Sequence, residues 1–362
     1  MKDVRDFYRK VSLLDDSVCV ATYEDPVGYA KLHPSKVLTI RNNPFLKSGS
    51  ECGQLLGVCD SKIIGGICPI PLQVVADGKV YSAICGSSLM VIPEARSTGY
   101  GIDILDKMRV LCEDQIDVYC GLSSDSRKLL KLLNRVLFPV QRRLMIRRSR
   151  EFTDHRRPLA VWRMASLIFD ATFYAHRLFI RMLVGWKMRG FKVMQIEATN
   201  LSALNSCARL VEQDKHRFRL NITEQWLQWV LTNEFRPIEK ANKRLYGVYK
   251  NGTLVAFWIS KTDSHGNRGR IIEWQVSEEW ALYEPWIILK AALKLLPLCN
   301  VVNLDTDNDE SNRLFKKLGF LQVPGQVCGV GADGASRLKR HDGWAEQCNW
   351  RVRMSMADAA FW

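Results

Sequence analysis

The segment QLLGVCDSKIIGGICPI at 54–70 returns in outline as LYGVYKNGTLVAFWISK at 245–261. Gly57-Val58 aligns with Gly247-Val248, and Ile64 meets Leu254. In each copy two apolar runs flank a short polar turn, which reads as a pair of strands. Asn251-Gly252 makes the second turn explicit, and Asp77-Gly78 marks a further hairpin in the first copy. The order after these hairpins also matches. The first copy goes on with a strand KVYSAICGSSLMVIP, a helix GYGIDILDKMRVLCED, a strand IDVYCGL and a helix SRKLLKLLNRVLF capped by Ser124-Asp125. The second goes on with a strand RIIEWQV, a helix PWIILKAALKLL, a strand VVNLD and a helix ESNRLFKKLGF. A repeated order of this kind in 362 residues predicts two tandem units, each with its own sheet. The fold class expected is α/β (α+β): in each unit a mixed, mostly antiparallel central sheet is flanked by helices. The strand before Pro93 carries few charges and is expected to be buried on both faces.

The boundaries expected are 1–140 for the first unit, 141–190 for a basic linker and long helix, and 191–362 for the second unit. Residues 1–35 read as irregular chain or short helix. Residues 141–157 hold seven arginines and little turn chemistry, and read as a connector. The segment from Pro158 to about Gly190 mixes aromatics and aliphatics with Arg163, His176, Arg177, Arg181, Lys187 and Arg189. Its length and lack of proline predict a helix. Such a helix either packs across both units or lies on an anionic membrane. Trp226 and Trp229 share one helical face, where core packing competes with ring stacking on a sugar.

The 11 cysteines fall at irregular spacings with no C-x-x-C pair, which argues against a zinc ribbon or a redox pair. Cys68, Cys85 and Cys120 sit in apolar runs and read as buried thiols of a reduced, cytoplasmic protein. No signal-peptide core and no apolar run of about 18 residues is present, so the expected location is cytoplasmic, at most peripheral at the inner face of a membrane. The net charge of +14 points to an acidic partner: anionic lipid, a CoA-like ligand, an acidic carrier protein or nucleic acid. No RNA-binding motif of paired aromatics and glycines is evident, so nucleic acid is not expected.

The stretch from Leu89 to Gly101, LMVIPEARSTGYG, carries the chemistry. A strand stops at a proline, a short loop holds R-x-x-G-x-G, and a helix starts at once. Gly99 and Gly101 remove side chains, so backbone N–H groups can approach a ligand. Those groups belong to a helix start, where the dipole favours an anion. The arrangement predicts a pyrophosphate cradle. A Rossmann site is disfavoured, because the glycines come late, behind hairpin strands.

V-I-P-E-A-R-S-T-G-Y-G at 91–101 resembles the acyl-CoA loop of the GNAT superfamily of N-acyltransferases, and KLGF at 317–320 resembles that family's terminal helix-to-strand signature. The resemblance covers 50–140 well and 220–325 more faintly. The chain as a whole is similar to the tandem GNAT proteins of exopolysaccharide and cell-envelope pathways. It implies an acyl-CoA co-substrate, acetyl-CoA or longer, and no metal. It also implies that Leu89, Met90 and Val91 pair with the pantetheine arm, and that Arg96, Ser97, Thr98, Gly99, Tyr100 and Gly101 bind the pyrophosphate. The thioester would lie where this strand splays from Ile116–Cys120. The second copy departs from the pattern: VSEEWALYEPW has neither the Arg nor the glycines, and Glu278, Glu279 and Glu284 would repel a pyrophosphate. The family's usual tyrosine acid falls near Leu133 and Phe315, both apolar.

The implied reaction is attack of an amine on a thioester, with a base to take a proton and backbone N–H near Met90 or Val91 to hold the oxyanion. Glu273, inside an apolar strand, and Asp305, at a strand end, are the catalytic candidates; a paired ion or a helix cap is the plainer reading of each. The acceptor expected is a small amine such as an amino sugar or amino acid, including a polysaccharide precursor. Acyl carrier protein is an alternative donor, with the arginines of 127–157 as its dock. A Fem-like aminoacyl-tRNA-dependent transferase and a non-catalytic basic scaffold are the remaining alternatives.

Overall fold

The computed structural model describes residues 8–12, 40–46, 52–59, 62–96, 98–111, 116–119, 124–139, 141–147, 159–232, 242–262, 268–306, 308–323, 327–331, 341–346 and 350–351. The first half runs through β1 (Tyr8–Ser12), β2 (Cys52–Cys59), β3 (Lys62–Ala76), β4 (Lys79–Val91), α1 (Tyr100–Leu111), β5 (Ile116–Tyr119), α2 (Ser124–Leu132), β6 (Val136–Pro139) and β7 (Gln141–Ile146). Helix α3 (Leu159–Lys187) follows. The second half runs through β8 (Phe191–Ile196), α4 (Leu201–Glu212), β9 (Phe218–Leu220), α5 (Glu224–Thr232), β10 (Asn242–Lys250), β11 (Thr253–Thr262), β12 (Arg268–Val276), α6 (Glu284–Leu295), β13 (Val301–Thr306), α7 (Asp309–Lys317), β14 (Leu321–Val323) and β15 (Val327–Gly331).

Both hairpins rest on left-handed turn residues. Asp77 and Gly78 take φ of 46° and 77°, and Asn251 and Gly252 take 51° and 82°. These values suit the tight two-residue turn that matches strand twist. The repeated segments are β2–β3 and β10–β11, both antiparallel with a register shift near the aligned glycine, directly after Gly57 in the first and one residue further on, between Val248 and Tyr249, in the second.

The sheets follow the same plan with one exchange. The first has the order β1-β2-β3-β4-β5-β15-β6, with β9 on the side of β3. The second has the order β14-β7-β13-β12-β11-β10-β8. Gln141–Ile146, expected as part of a connector, is therefore a strand, and it pairs with β13 and β14 of the second sheet. In return β15 inserts between β5 and β6 of the first. Each half lends the strand that completes its neighbour. Arg143 explains why so basic a segment is buried: its guanidinium donates to Asn312 Oδ1 (2.9 Å), the Phe320 carbonyl (3.0 Å) and Gln322 Oε1 (3.3 Å). Burial that is hydrogen-bonded at every fork is tolerable for an arginine.

Three further expectations change. Tyr8–Ser12, expected as irregular chain or helix, is a strand on β2, while the rest of 1–35 lies outside the described residues. The helix from Ser124 ends at Leu132, because Asn134 turns to φ 54° and Val136–Pro139 pairs with β15. β4 sits mid-sheet but is not buried on both faces; Met90 is 44% exposed, because β4 leaves its neighbour before it ends.

The helices α1 and α2 cover one face of the first sheet, through Ile104, Leu105, Met108 and Leu130. The other face shares one core with the second sheet, where Cys68, Ile70 and Leu72 meet Phe257, Ile259 and Ile272 around α4 and α5. Trp226 and Trp229 belong to this shared core, so packing accounts for both. Cys68 and Cys85 are buried and in no disulfide, and Cys120 lies outside the described residues. Helices α3, α6 and α7 cover the outer face of the second sheet. No helix among the described residues is long and apolar enough to cross a membrane.

Candidate functional site

The two repeats each open a cleft in the same way. β4 pairs in parallel with β5 only from Ala83 to Cys85, then runs on to Val91. β12 pairs in parallel with β13 only from Arg268 to Arg270, then runs on to Val276. At the first opening the Tyr119 ring lies over Gly86, where a Cβ would come within 2.5 Å of it. Any side chain at position 86 would drive the two strands further apart.

Past the first opening the chain makes a 3-10 turn at Pro93–Ala95, tied to β3 by Ile92 N–H donating to the Ile64 carbonyl (2.9 Å). The Arg96 side chain folds back, its Nε donating to the Val91 carbonyl (3.1 Å). The Arg96 and Thr98 N–H groups donate to Pro93 and Ala95 carbonyls at 3.3 Å, so neither is turned toward a ligand. Gly99 takes φ 91°, with open space where a Cβ would stand, and its carbonyl accepts the first helical bonds from Ile102 and Asp103. The start of α1 thus has open space at Gly99, where an anion could approach. A Cβ at the buried Gly101 would meet Leu129 at 3.2 Å, so that glycine serves packing and not the approach of a ligand expected of it. Ser97 lies outside the described residues. Leu89 and Val91 are half-buried along the open edge. Burial, then the neighbouring Asp106, holds the Asp103 carboxyl in this first turn above its usual range, against Lys107.

The second repeat uses the same frame differently. Ser277 N–H donates to the Val255 carbonyl (2.9 Å), as Ile92 does in the first. A 3-10 turn at Glu278–Tyr283 then replaces the glycine loop. Glu284, the first residue of α6, accepts from Trp274 Nε1 (3.1 Å) on β12 and from Asn308 Nδ2 (3.0 Å) just past β13. A carboxylate of the chain itself bridges the splay at a helix start.

A cavity of about 870 Å³ lies at this second opening. Its walls include Trp274, Val276, Glu278 and Glu284, then Thr306, Asp309 and Glu310, with Trp350, Gln141 of the exchanged strand, and Asp214 to His216. Five carboxylates against Lys215 and His216 make an acidic wall in a basic chain, which suits a cationic ligand. His216 Nδ1 lies 2.5 Å from Asp214 Oδ1, and Asp214 also accepts from the His216 N–H (2.9 Å). The Asp214 carboxyl is held well below its usual range: burial opposes its charge, but hydrogen bonds from His216 and the Arg351 guanidinium outweigh it. A histidine fixed through Nδ1 by a carboxylate keeps Nε2 for a proton.

Neither catalytic candidate lines this cavity, though their chain neighbours Trp274 and Thr306 do; each is held in an ion pair. Glu273 is buried on β12, where it accepts from Arg351 Nη2 and from the Trp274 N–H (3.0 Å). Arg351 is itself buried, and its Nε lies 3.2 Å from Asp214 Oδ2. A chain of contacts thus runs Glu273, Arg351, Asp214, His216. Asp305, also buried, takes a two-pronged bond from Arg142 of the exchanged strand (2.6 and 3.1 Å). Sequence reasoning missed Asp214 and His216. The spacing D-x-H was their only local signal, and the arginine that holds them lies far along the chain. Leu133 and Phe315, where the family's tyrosine would fall, are half-buried and fully buried. Among the described residues no group of three or more metal-ligating side chains is placed to hold a metal.

At the level of sequence, no family model and no curated protein matches the chain. The fold does match solved structures. A crystal structure of Saccharomyces cerevisiae N-myristoyltransferase with bound myristoyl-CoA superposes with a TM-score of 0.55 at 11% identity, over 94% of this chain and 85% of that one. A GCN5-related N-acetyltransferase from Anabaena variabilis superposes with a TM-score of 0.51 at 11% identity, over 89% of this chain and 71% of that one. Identity this low speaks of the fold alone: along nearly its whole length this chain shares the fold of a GCN5-related N-acetyltransferase and of an N-myristoyltransferase.

Proposed function

We propose that this chain is an N-acyltransferase that takes an acyl group from acyl-CoA at its first repeat and passes it to an amine held in the cavity of its second. The observation that carries the reading is the first splay: β4 leaves β5 after Cys85 and runs into a loop with Gly99 at φ 91° and a helix start behind it. In this reading Leu89, Met90 and Val91 line the pantetheine arm. The loop from Arg96 through Ser97, Thr98, Gly99, Tyr100 and Gly101 holds the pyrophosphate, mainly through amides from Gly99 onward. The solved N-acetyl- and N-myristoyltransferases of this fold support CoA as the carrier, and leave acetyl and longer chains both open. The donor unit is 1–140, the basic segment and long helix 141–190, and the acceptor unit 191–362.

The acceptor is a cationic amine, an amino sugar or amino acid, with a polysaccharide precursor among the candidates. The carboxylates of Glu278, Asp309 and Glu310 draw it in, and His216 takes its proton, oriented by Asp214. Glu273 acts through Arg351 and Asp305 through Arg142, as positioning residues. Backbone N–H near Met90 or Val91 stabilises the oxyanion. With Leu133 and Phe315 apolar, solvent protonates the departing thiolate. Transfer from an acyl carrier protein is the alternative; of the arginines of 127–157 that would form its dock, Arg135, Arg142, Arg143 and Arg147 bond inside the fold, and Arg148, Arg150, Arg156 and Arg157 lie outside the described residues.

The test follows release of free CoA thiol from acetyl- and longer acyl-CoA across a panel of amines. Amine-dependent release, lost in both Gly99→Glu and Arg96→Glu, is the expected result; Arg96 is exposed and its replacement leaves the backbone unstrained. No release and no binding with any acyl-CoA would overturn the reading.

A further inference from the structure

Helix α3 is apolar on two sides. Its inner side packs through Ile180, Val184 and Met188 into the core of the second sheet. Arg177 is also turned inward, donating to the Ile146 carbonyl (2.9 Å) and the Arg147 carbonyl (2.7 Å), and His176 Nε2 lies 2.6 Å from the Leu318 carbonyl. The polar side chains that would ordinarily face water are thus held against the protein. The outer side carries Leu167, Ile168, Leu178, Phe179, Met182 and Trp186, all exposed; Met182 is 74% and Trp186 67% exposed. At about 100° per residue these six fall within an arc of about 120°, along about 28 Å of helix. Ala171, Ala175 and Gly185 complete that arc, so it holds no charge. An exposed apolar stripe of this length marks a docking face.

The fringe of the stripe says what docks. Arg181 stands exposed at its edge, and Lys187, Arg189 and Lys192 stand exposed at its C-terminal end. Lys187 Nζ lies 4.7 Å over the Trp186 ring, an indole and an ammonium side by side, as at a lipid headgroup boundary. An apolar stripe with a cationic fringe is the pattern of a helix that lies in a membrane interface, and no helix among the described residues is able to span one. A second copy of a chain with net charge +14 would instead bring like charges together. The same end of α3 adjoins the rim of the acidic cavity: Phe191 packs against Trp280 and Tyr283 (5.2 Å each), and between these two Leu282 lines the cavity while 80% exposed.

We propose that the outer face of α3 docks on an anionic lipid surface, with the stripe in the acyl boundary and the cations at the headgroups. The inference stands whether or not the chain transfers acyl groups. It is tested by co-sedimenting the full chain with vesicles of phosphatidylcholine alone or mixed with phosphatidylglycerol, at low and high salt. Binding to the anionic vesicles is expected at least about tenfold above the neutral ones, falling with salt. The pair Phe179→Asp and Met182→Asp should lower it about tenfold or more with an unchanged melting curve, since both side chains are exposed. The pair Arg189→Glu and Lys192→Glu should lower it several-fold and flatten the salt response. The proposal is overturned if the wild type ignores both vesicles, or if Phe179→Asp with Met182→Asp binds as well as the wild type. Sedimentation of the lipid-free protein gives a third reading: a dimer that those aspartates dissociate, with no vesicle binding, assigns the face to a second copy.

Discussion

Val91–Gly101 and Val276–Glu284 stand at the same place in two copies of one fold, yet one is open and the other is filled. The first ends in Gly99 at φ 91°, with open space where a Cβ would stand, and then the start of α1. The second ends in Glu284, whose carboxylate holds Trp274 and Asn308 across the splay. A helix N-terminus favours an anion in either case. In the second repeat the chain supplies that anion at the first helical residue, whereas the first repeat has Tyr100 there and its first acidic side chain only at Asp103. On the proposed reading the two units share one scaffold but only the first keeps an anion site, and the second has an acidic cavity of about 870 Å³ instead.

Substitutions in the second repeat probe this asymmetry most strongly. His216→Ala should lower kcat by about 10²- to 10⁴-fold with little change in KM for acyl-CoA, if the cavity holds the acceptor and the histidine its base. An unchanged kcat would return the second repeat to a purely structural part. Arg351→Leu leaves two buried carboxylates, Glu273 and Asp214, without their shared cation, and should cost about 3–5 kcal/mol in urea unfolding. A loss below about 1 kcal/mol would mean that the chain of contacts to His216 is not a buried network.

Glu284→Gln sharpens the contrast at smaller cost. It removes the charge but keeps the shape, so a change of about 1 kcal/mol is expected in a melt. No acyl-CoA should enter the second repeat as a result, since the glycines are still missing. The turns give the smallest effect. Asp77, between β3 and β4, and Asn251, between β10 and β11, both take left-handed turn conformations in different hairpins, and only Asp77 is ionisable. The Arg217 hydrogen bond, against burial and with help from His341, lowers the Asp77 pKa to about 2. A lowered folded pKa gives stability that is complete above the unfolded value near 3.8 and is lost as pH falls through about 2. Asp77→Asn should flatten the acid limb of the stability curve in that window, and an identical limb would remove Asp77 from the account.

Much of this was legible in the sequence where the signal is local. Asp77-Gly78 and Asn251-Gly252 announce their turns because few residues accept positive φ. Gly99 announces the loop for the same reason, whereas Gly101 lies inside the helix against Leu129. The exchanged strand was hidden because its partners are distant: Arg142 and Arg143 read as solvent charges until Asp305 and the Phe320 carbonyl are brought beside them. His216 was hidden likewise, since Arg351 reaches Asp214 only through the fold. Glu273 was found by its odd place in an apolar strand, but the ion pair that explains that place could not be.

The central claim is that one chain has one donor site, in its first repeat. Calorimetric titration of the purified protein with acetyl-CoA and longer acyl-CoAs tests it directly, beside Gly99→Glu, Arg96→Glu and Glu284→Gln. A stoichiometry of one, abolished by the first two changes and untouched by the third, is predicted. Two sites per chain, or one site that survives Gly99→Glu and Arg96→Glu, would contradict it.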